Sequence, residues 1–127
     1  MQDQPTAIEL VDIVAEFIRK HAMPQLQGHA AFHARVAANA LDIVKRELEI
    51  APKANAEEHG RLELLLERDG SLEELNRELC AEIERGEVGL ESEELVDHLW
   101  KITMTKLAID QPNYSGYVRA REEGAEA

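Results

Sequence analysis

Aromatic side chains are scarce in this sequence, where Phe, Trp and Tyr together make up 4% of 127 residues. Hydrophobic residues still amount to 44%, so Leu, Ile, Val and Ala must supply most of the core. A sheet would be expected to contain more Tyr, Phe and Trp. The composition therefore favours helices, and we expect an all-α protein, a compact bundle of about five helices.

The features of a secreted or membrane protein are also missing. The single cysteine, Cys80, cannot form an internal disulfide. No apolar stretch approaches the roughly 18 residues that a membrane-spanning helix needs. The N-terminal sequence MQDQPTAIEL contains no basic region followed by an apolar run. We therefore expect a cytoplasmic protein that does not bind membranes.

Basic residues are outnumbered, with 14 Lys and Arg against 26 Asp and Glu, which gives a net charge of −12. Phosphate contacts need a basic surface, so we expect no nucleic acid as a partner. The acidity is concentrated between residues 57 and 94, where 14 acidic and 4 basic side chains occur. This acidic middle is either a docking site for a basic partner or simply a solvated face.

Catalytic and metal-binding motifs are absent as well. The sequence contains no glycine-rich phosphate loop, no G-x-S-x-G, no C-x-x-C and no H-E-x-x-H. His29 and His33 are four residues apart, a spacing that suits two metal ligands on one helical face, but no further ligand is marked by spacing. We therefore expect no metal site, no cofactor and no catalytic residue, and we favour a protein that is not an enzyme.

What the sequence does contain is helical periodicity. Apolar residues recur at the spacing of one helical face in five segments, about 7–22, 29–51, 56–68, 72–85 and 93–110. Capping boxes, in which the first and fourth residues bond each other's backbone, mark three of the starts: Thr6 with Glu9, Asn55 with Glu58, and Ser71 with Glu74. A stop is expected at Ala51-Pro52.

We expect one domain over residues 1–119 and a disordered tail over residues 120–127. In this arrangement the first, second and fifth helices form the apolar core. The third and fourth helices make an acidic hairpin that packs on this core through its leucines. The apolar arcs of the core helices are wide, so one of them could also form the interface of a two-fold homodimer.

Four polar residues fall on the apolar faces of the predicted helices: His33, Asn39 and Glu47 on the second and Lys106 on the fifth. A buried polar group needs a partner. These residues are therefore ligand-binding candidates in a polar pocket, or they are satisfied within the bundle. Backbone groups or a helix end would satisfy His33 and Asn39. Lys106 would extend to water or pair with Glu47.

Three stretches together resemble a known family: QDQPTAIELVDIVAEFI at the start, FHARVAANALDIVKREL in the middle and LWKITMTKLAIDQPNYSGY near the end. They are similar to a family of small bacterial proteins of unknown function, a DUF-type family, over nearly the whole chain. Members of that family are often encoded beside aminoglycoside-phosphotransferase-like kinases and acyl-CoA dehydrogenases. The resemblance implies an accessory role near acyl-CoA or phosphotransfer metabolism, and it carries over no functional residue.

The sequence therefore predicts a non-enzymatic accessory or protein-interaction domain. Its expected partners are a second copy, as a homodimer, or a partner enzyme that is kinase-like or an acyl-CoA dehydrogenase. The alternative is a small-molecule-binding or catalytic helical bundle with a polar pocket near His33, Asn39 and Lys106. The alternative requires a concave pocket that receives at least two of these side chains. The interaction domain requires a large apolar surface patch instead.

Overall fold

A computed structural model describes residues 3–126 of the chain, with side chains for residues 3–125. These residues form five α-helices and no β-strand, which confirms the all-α fold. The helices are α1 (Ala7–Phe17), α2 (Gly28–Leu66), α3 (Leu72–Glu84), α4 (Glu93–Asp110) and α5 (Ser115–Glu126). The chain divides into two compact units, Met1–Ala51 and Pro52–Ala127, which are described in turn.

The number of helices agrees with the sequence analysis, but one predicted break is missing. The second and third predicted helices form a single helix, α2, which contains Pro52 in its interior, so the start expected at Asn55 does not occur. Proline inside a helix removes a backbone hydrogen bond and costs about 3 kcal/mol. The helix continues because alanine, lysine and glutamate flank the proline and because Leu62 and Leu66 pack in a buried cluster farther along.

The last helix of the structure, α5, was not among the predicted helices, and it includes residues that were expected to form a disordered tail. It extends from Ser115 to Glu126, and residues 120–123 are Ala, Arg, Glu and Glu, all strong helix formers. Tyr117 is buried, and the Arg121 guanidinium lies 5.7 Å from the centre of its ring. The tail over residues 120–127 stays a prediction, and its last residue, Ala127, lies outside the described residues. Whether residues 1–119 fold as one domain stays a prediction.

The first unit contains α1 and the part of α2 up to Ala51, which together are called the hairpin below. α1 begins at the predicted capping box. The Thr6 hydroxyl accepts a hydrogen bond from the Glu9 N–H at 3.2 Å, and the Thr6 N–H donates to the Glu9 carboxylate at 2.7 Å. After Phe17 the chain continues as a π-helical turn, Ile18–Ala22, and a 3₁₀ turn, Met23–Gln25.

Ion pairs fix the register of the two helices in the hairpin. Arg19 donates to both oxygens of the Asp42 carboxylate, at 2.5 and 3.0 Å, and to the Asn39 side-chain oxygen at 3.0 Å. Lys45 Nζ donates to the Asp12 carboxylate at 2.7 Å. Arg19, in the π-helical turn after α1, pairs with Asp42, whereas the earlier Asp12 pairs with the later Lys45. The two helices are therefore antiparallel.

The second unit has a core of buried leucines: Leu62 and Leu66 of α2, Leu75 and Leu79 of α3, and Leu95 of α4. Half-buried hydrophobic residues pack around this cluster, namely Leu65, Leu72, Val88 and Leu99. The predicted capping box of Ser71 and Glu74 begins α3. Among the helices of residues 3–126, none combines the length and apolar character that crossing a membrane requires.

The position of this core corrects the sequence analysis. The first, second and fifth predicted helices were expected to form the core, and that expectation is wrong. Four of the five buried leucines come from the segments predicted as an acidic hairpin packed on its outside. The acidic side chains of these segments are exposed or half-buried, which leaves four leucines free to be buried: Leu62, Leu66, Leu75 and Leu79.

Truncation of Leu62 tests the leucine core. Leu62 is 0% exposed, whereas Leu64, two residues away in the same helix, is 82% exposed. Leu62→Ala removes buried apolar atoms and leaves a cavity, so we expect it to lower the free energy of unfolding by about 2–5 kcal/mol. Leu64→Ala is the matched control, with an expected change of about 0.5 kcal/mol or less. Equal losses in urea unfolding of the two variants would contradict this assignment of the core.

Candidate functional site

The four candidate residues named from the sequence are all exposed: His33, Asn39, Glu47 and Lys106. Asn39 accepts the hydrogen bond from Arg19. The rings of His33 and Phe32 meet edge to face, with their centres 5.6 Å apart. An exposed polar group needs no protein partner, so the condition that made these residues candidates does not apply. Their role in binding a ligand stays a prediction.

The hairpin instead exposes a set of large apolar side chains. On α1 these are Leu10, Ile13, Val14 and Phe17, which share one side of the helix because they are spaced at i, i+3, i+4 and i+7. On α2 they include Val44 and Leu48, four residues apart. We call these six residues the apolar face. Their exposed fractions range from 40% to 58%. Phe32 and Val36 are exposed as well, nearer the start of α2.

The apolar face lies away from the ion pairs. At about 100° per residue, Leu10 and Val14 lie on the side of α1 opposite Asp12 and Arg19. Val44 lies opposite Asp42 on α2 by the same geometry. The hairpin therefore has one charged edge and one apolar face.

The charged edge is stable at neutral pH. The hydrogen bond from Arg19 lowers the pKa of the Asp42 carboxyl and raises the pKa of Arg19. The hydrogen bond to Asp12 likewise raises the pKa of Lys45. Arg19, Asp42 and Lys45 therefore stay charged near pH 7, and their hydrogen bonds hold the two helices in register.

Almost nothing is buried inside the hairpin. Within residues 3–51 the only buried residues are two alanines, Ala15 and Ala38. Small side chains let the two helices approach closely, but they supply little apolar burial. The large apolar residues of the hairpin are thus half-buried or exposed. A surface of this kind is a candidate site for contact with another molecule.

The second unit offers a different candidate, a groove between α4 and the later part of α2. Its volume is about 830 Å³, within the range of small-molecule sites. Leu64, Trp100 and Met104 supply its apolar lining, and Arg61 and Lys101 line it with positive charge. Gly60 also lines the groove, and no atom lies within 4 Å of the position that a Cβ would occupy there. The missing side chain keeps the groove wide.

A buried histidine supports Arg61 at this groove. His98 is 1% exposed, and its Nδ1 accepts a hydrogen bond from Arg61 Nε at 3.4 Å. Because Nδ1 accepts, the proton of the neutral ring is on Nε2, which has no hydrogen-bond partner among the described residues. Burial, and secondarily the charge of Arg61, lower the pKa of His98. The ring is therefore neutral at pH 7.

Arg61 shares the groove with one carboxylate, Glu57, which lies four residues earlier in α2. Among the described residues, no carboxylate forms an ion pair with it, whereas Lys101 is paired with Asp97 at 2.7 Å. A smaller cavity of about 200 Å³ adjoins this position and is lined by Arg61, Leu65 and His98, among others. Arg61 thus lies where the two cavities meet, held by a neutral imidazole.

A family model described as "Domain of unknown function (DUF6285)" matches residues 24–114, more than two thirds of the chain. The chain belongs to the DUF6285 family. No curated protein and no solved structure matches this DUF6285 chain. The resemblance to a family of unknown function is therefore confirmed, while the bacterial source and the neighbouring genes stay expectations. The matched residues include α2, α3 and α4, with Arg61 and His98, and exclude α1.

Neither His98 nor Arg61 of the DUF6285 domain was among the candidates named from the sequence, although the His98 ring is buried. The signal was present: His98 follows Leu95 by three residues and precedes Ile102 by four, so it shares their side of α4. No comparable signal marked Arg61. Within residues 3–126, no three His, Cys, Asp or Glu side chains are grouped to hold a metal ion.

The buried histidine makes the stability of the DUF6285 domain depend on pH. The unfolded chain takes up a proton at His98 near its ordinary pKa of 6.5, and the folded chain does so only at lower pH. Between these pKa values the unfolded state binds more protons. The contribution of His98 to stability is therefore complete above pH 6.5 and decreases as the pH falls toward the folded pKa.

We expect the free energy of unfolding to fall between about pH 7.5 and pH 5.5, with a smaller fall in His98→Asn. Asparagine keeps a side-chain acceptor near the Nδ1 position for Arg61 but does not titrate. Urea unfolding at both pH values measures the difference. Identical pH dependence in the two proteins would show that His98 does not titrate differently on folding.

Proposed function

We propose that this DUF6285 protein is an interaction domain without enzymatic activity of its own, which docks on another protein through the apolar face of the hairpin. The observation that supports this function is the exposure of six large apolar side chains on a hairpin that buries only two alanines. Soluble monomers rarely keep contiguous apolar patches of this size uncovered.

Covering this face would contribute favourable free energy to binding. Complete burial of a Val, Leu, Ile or Phe side chain contributes about 1.5–3 kcal/mol, so six half-exposed side chains offer roughly 5–9 kcal/mol. Ordering costs reduce this value on association. Because the ion pairs of Arg19 and Lys45 already hold the helices in register, the face needs little reorganisation before it binds.

The partner belongs to one of two classes in this proposal. One is a second copy of the chain, and the other is a partner enzyme. For the enzyme, the kinase-like proteins and acyl-CoA dehydrogenases implied by the family resemblance are the first candidates, and the protein acts as their accessory subunit in the cytoplasm. The acidic helices of residues 57–94 stay solvated in this account, because the docking surface lies on the hairpin.

Charged substitutions in the apolar face test the proposal. Val14→Lys with Leu48→Lys places two charges in the proposed contact, and an unpaired charge in a buried contact costs several kcal/mol. We expect at least a 100-fold loss of affinity for any stoichiometric partner, self or enzyme, in affinity capture followed by mass spectrometry and light scattering. Leu90→Lys is the control, because Leu90 is 82% exposed in the second unit. Full retention of the partner by the double variant would refute the apolar face as the docking surface.

A second candidate function is supported by the groove beside Arg61. An arginine that forms no ion pair among the described residues, bordered by Trp100, Met104 and Leu64, suits an amphipathic organic anion. The acid group would lie on Arg61, and the apolar part would lie on the ring and the aliphatic wall. Ligand binding was also the alternative function predicted from the sequence. The groove, however, is at a different place from the pocket predicted near His33, Asn39 and Lys106.

Trp100 reports on the groove because it is the single tryptophan of the chain. We expect decanoate to change its fluorescence at concentrations at least tenfold below those that 1-decanol needs, because only the acid can pair with Arg61. Arg61→Met abolishes this preference, since the cation is lost while much of the side-chain volume remains.

The control is Lys106→Met, which removes an exposed cation of α4 outside the groove lining. It should leave the preference for decanoate intact. Equal responses to the acid and the alcohol would refute the groove as an anion site. Loss of the preference in the Lys106 variant alone would favour the pocket predicted from the sequence.

A further inference from the structure

The two helices of the hairpin present the apolar face at matching levels. Lys45 pairs with Asp12, and Arg19 pairs with Asn39 and Asp42. In this antiparallel register Leu10 lies level with Leu48, and Val14 lies level with Val44. Successive rows of apolar side chains therefore extend across both helices, on the side away from the ion pairs.

The distribution of charge makes electrostatic repulsion between two copies weakest at the hairpin. Residues 1–51 contain seven acidic and five basic side chains, a net of −2. The remaining residues, 52–127, contain 19 acidic and nine basic side chains, a net of −10. Two copies that meet through their second units would bring strong like charges together. Two copies that meet through their hairpins bring together nearly neutral surfaces.

We infer that a second copy of this chain covers the apolar face, so that two hairpins pack in a two-fold contact of four helices. This inference rests on the proposed interaction function and names its partner. A two-fold contact uses the same patch on both copies, and a face with apolar rows and little net charge is complementary to itself. The rows of one hairpin meet the rows of the other, as in a four-helix bundle.

A partner of opposite charge fits the structure less well. A basic protein would be attracted to the second unit, where the net charge is −10, and not to the hairpin. The two possibilities respond to salt in opposite ways. Salt screens the repulsion between two copies that each carry −12, so the dimer tightens. Salt weakens attraction to a basic partner.

Light scattering and sedimentation equilibrium of the full chain measure the dimer directly. At about 5–200 µM protein we expect a mass twice the 14.3 kDa of one chain, with the dissociation constant at least threefold lower in about 500 mM NaCl than in about 50 mM. Val14→Lys with Leu48→Lys should return the mass to that of one chain. Leu90→Lys adds one positive charge outside the face and should leave the dimer intact.

Because the lysine variant could fail to fold, a milder pair accompanies it. Val14→Ala with Val44→Ala removes apolar surface from the face without lowering helix propensity, because alanine favours helices more than valine does. We expect the dissociation constant of the dimer to rise at least tenfold and the circular dichroism spectrum to stay unchanged. A dimer that is insensitive to both pairs of substitutions would overturn the inference, because its interface would lie elsewhere.

The outcomes separate this inference from the proposed function. A single-chain mass throughout the concentration range, together with capture of an identified enzyme that the face variants abolish, overturns the self-association and leaves the interaction function standing. A single-chain mass with no stoichiometric partner overturns both. A dimer that weakens with added salt also overturns the inference, because an apolar contact between like-charged copies must strengthen.

Discussion

Burial of five leucines is the interaction on which the described structure depends. Leu62 and Leu66 anchor the last part of α2 against Leu75, Leu79 and Leu95, and this packing offsets the cost of a proline within α2. The same cluster brings α4 beside α2, which creates the groove and buries His98. The hairpin has no equivalent cluster. Its helices are held by alanine contact and ion pairs, so its large side chains have no place inside the unit.

Local signals in the sequence predicted much of the helical structure. The capping boxes at Thr6 and Ser71 formed as expected, and α3 and α4 begin and end within about a residue of the predicted bounds, because capping depends on residues only three positions apart. The break at Pro52 was predicted wrongly for the converse reason. A proline is a local cost, and the packing that outweighs it involves residues ten and more positions farther along the chain.

The exposure of the candidate residues has a related cause. Helical periodicity indicates which residues share a side of a helix, but it does not indicate which side meets another helix of the same chain. His33 lies within an apolar arc and is nevertheless exposed, whereas His98, which was not among the candidates, is buried. Arg61 became notable only through its contact with His98, 37 positions away. Whether a side chain is buried depends on the residues that pack against it, and the helical periodicity of one sequence does not specify those residues.

The exposed apolar face also affects how long each chain survives in a cell. Chaperones and proteases recognise exposed apolar surface, and abundance responds strongly to small differences in stability. A copy whose face is uncovered therefore resembles an incompletely folded chain. The steady level of this protein should follow the availability of whatever covers the face, so that surplus chains are removed and the assembled form sets its own stoichiometry.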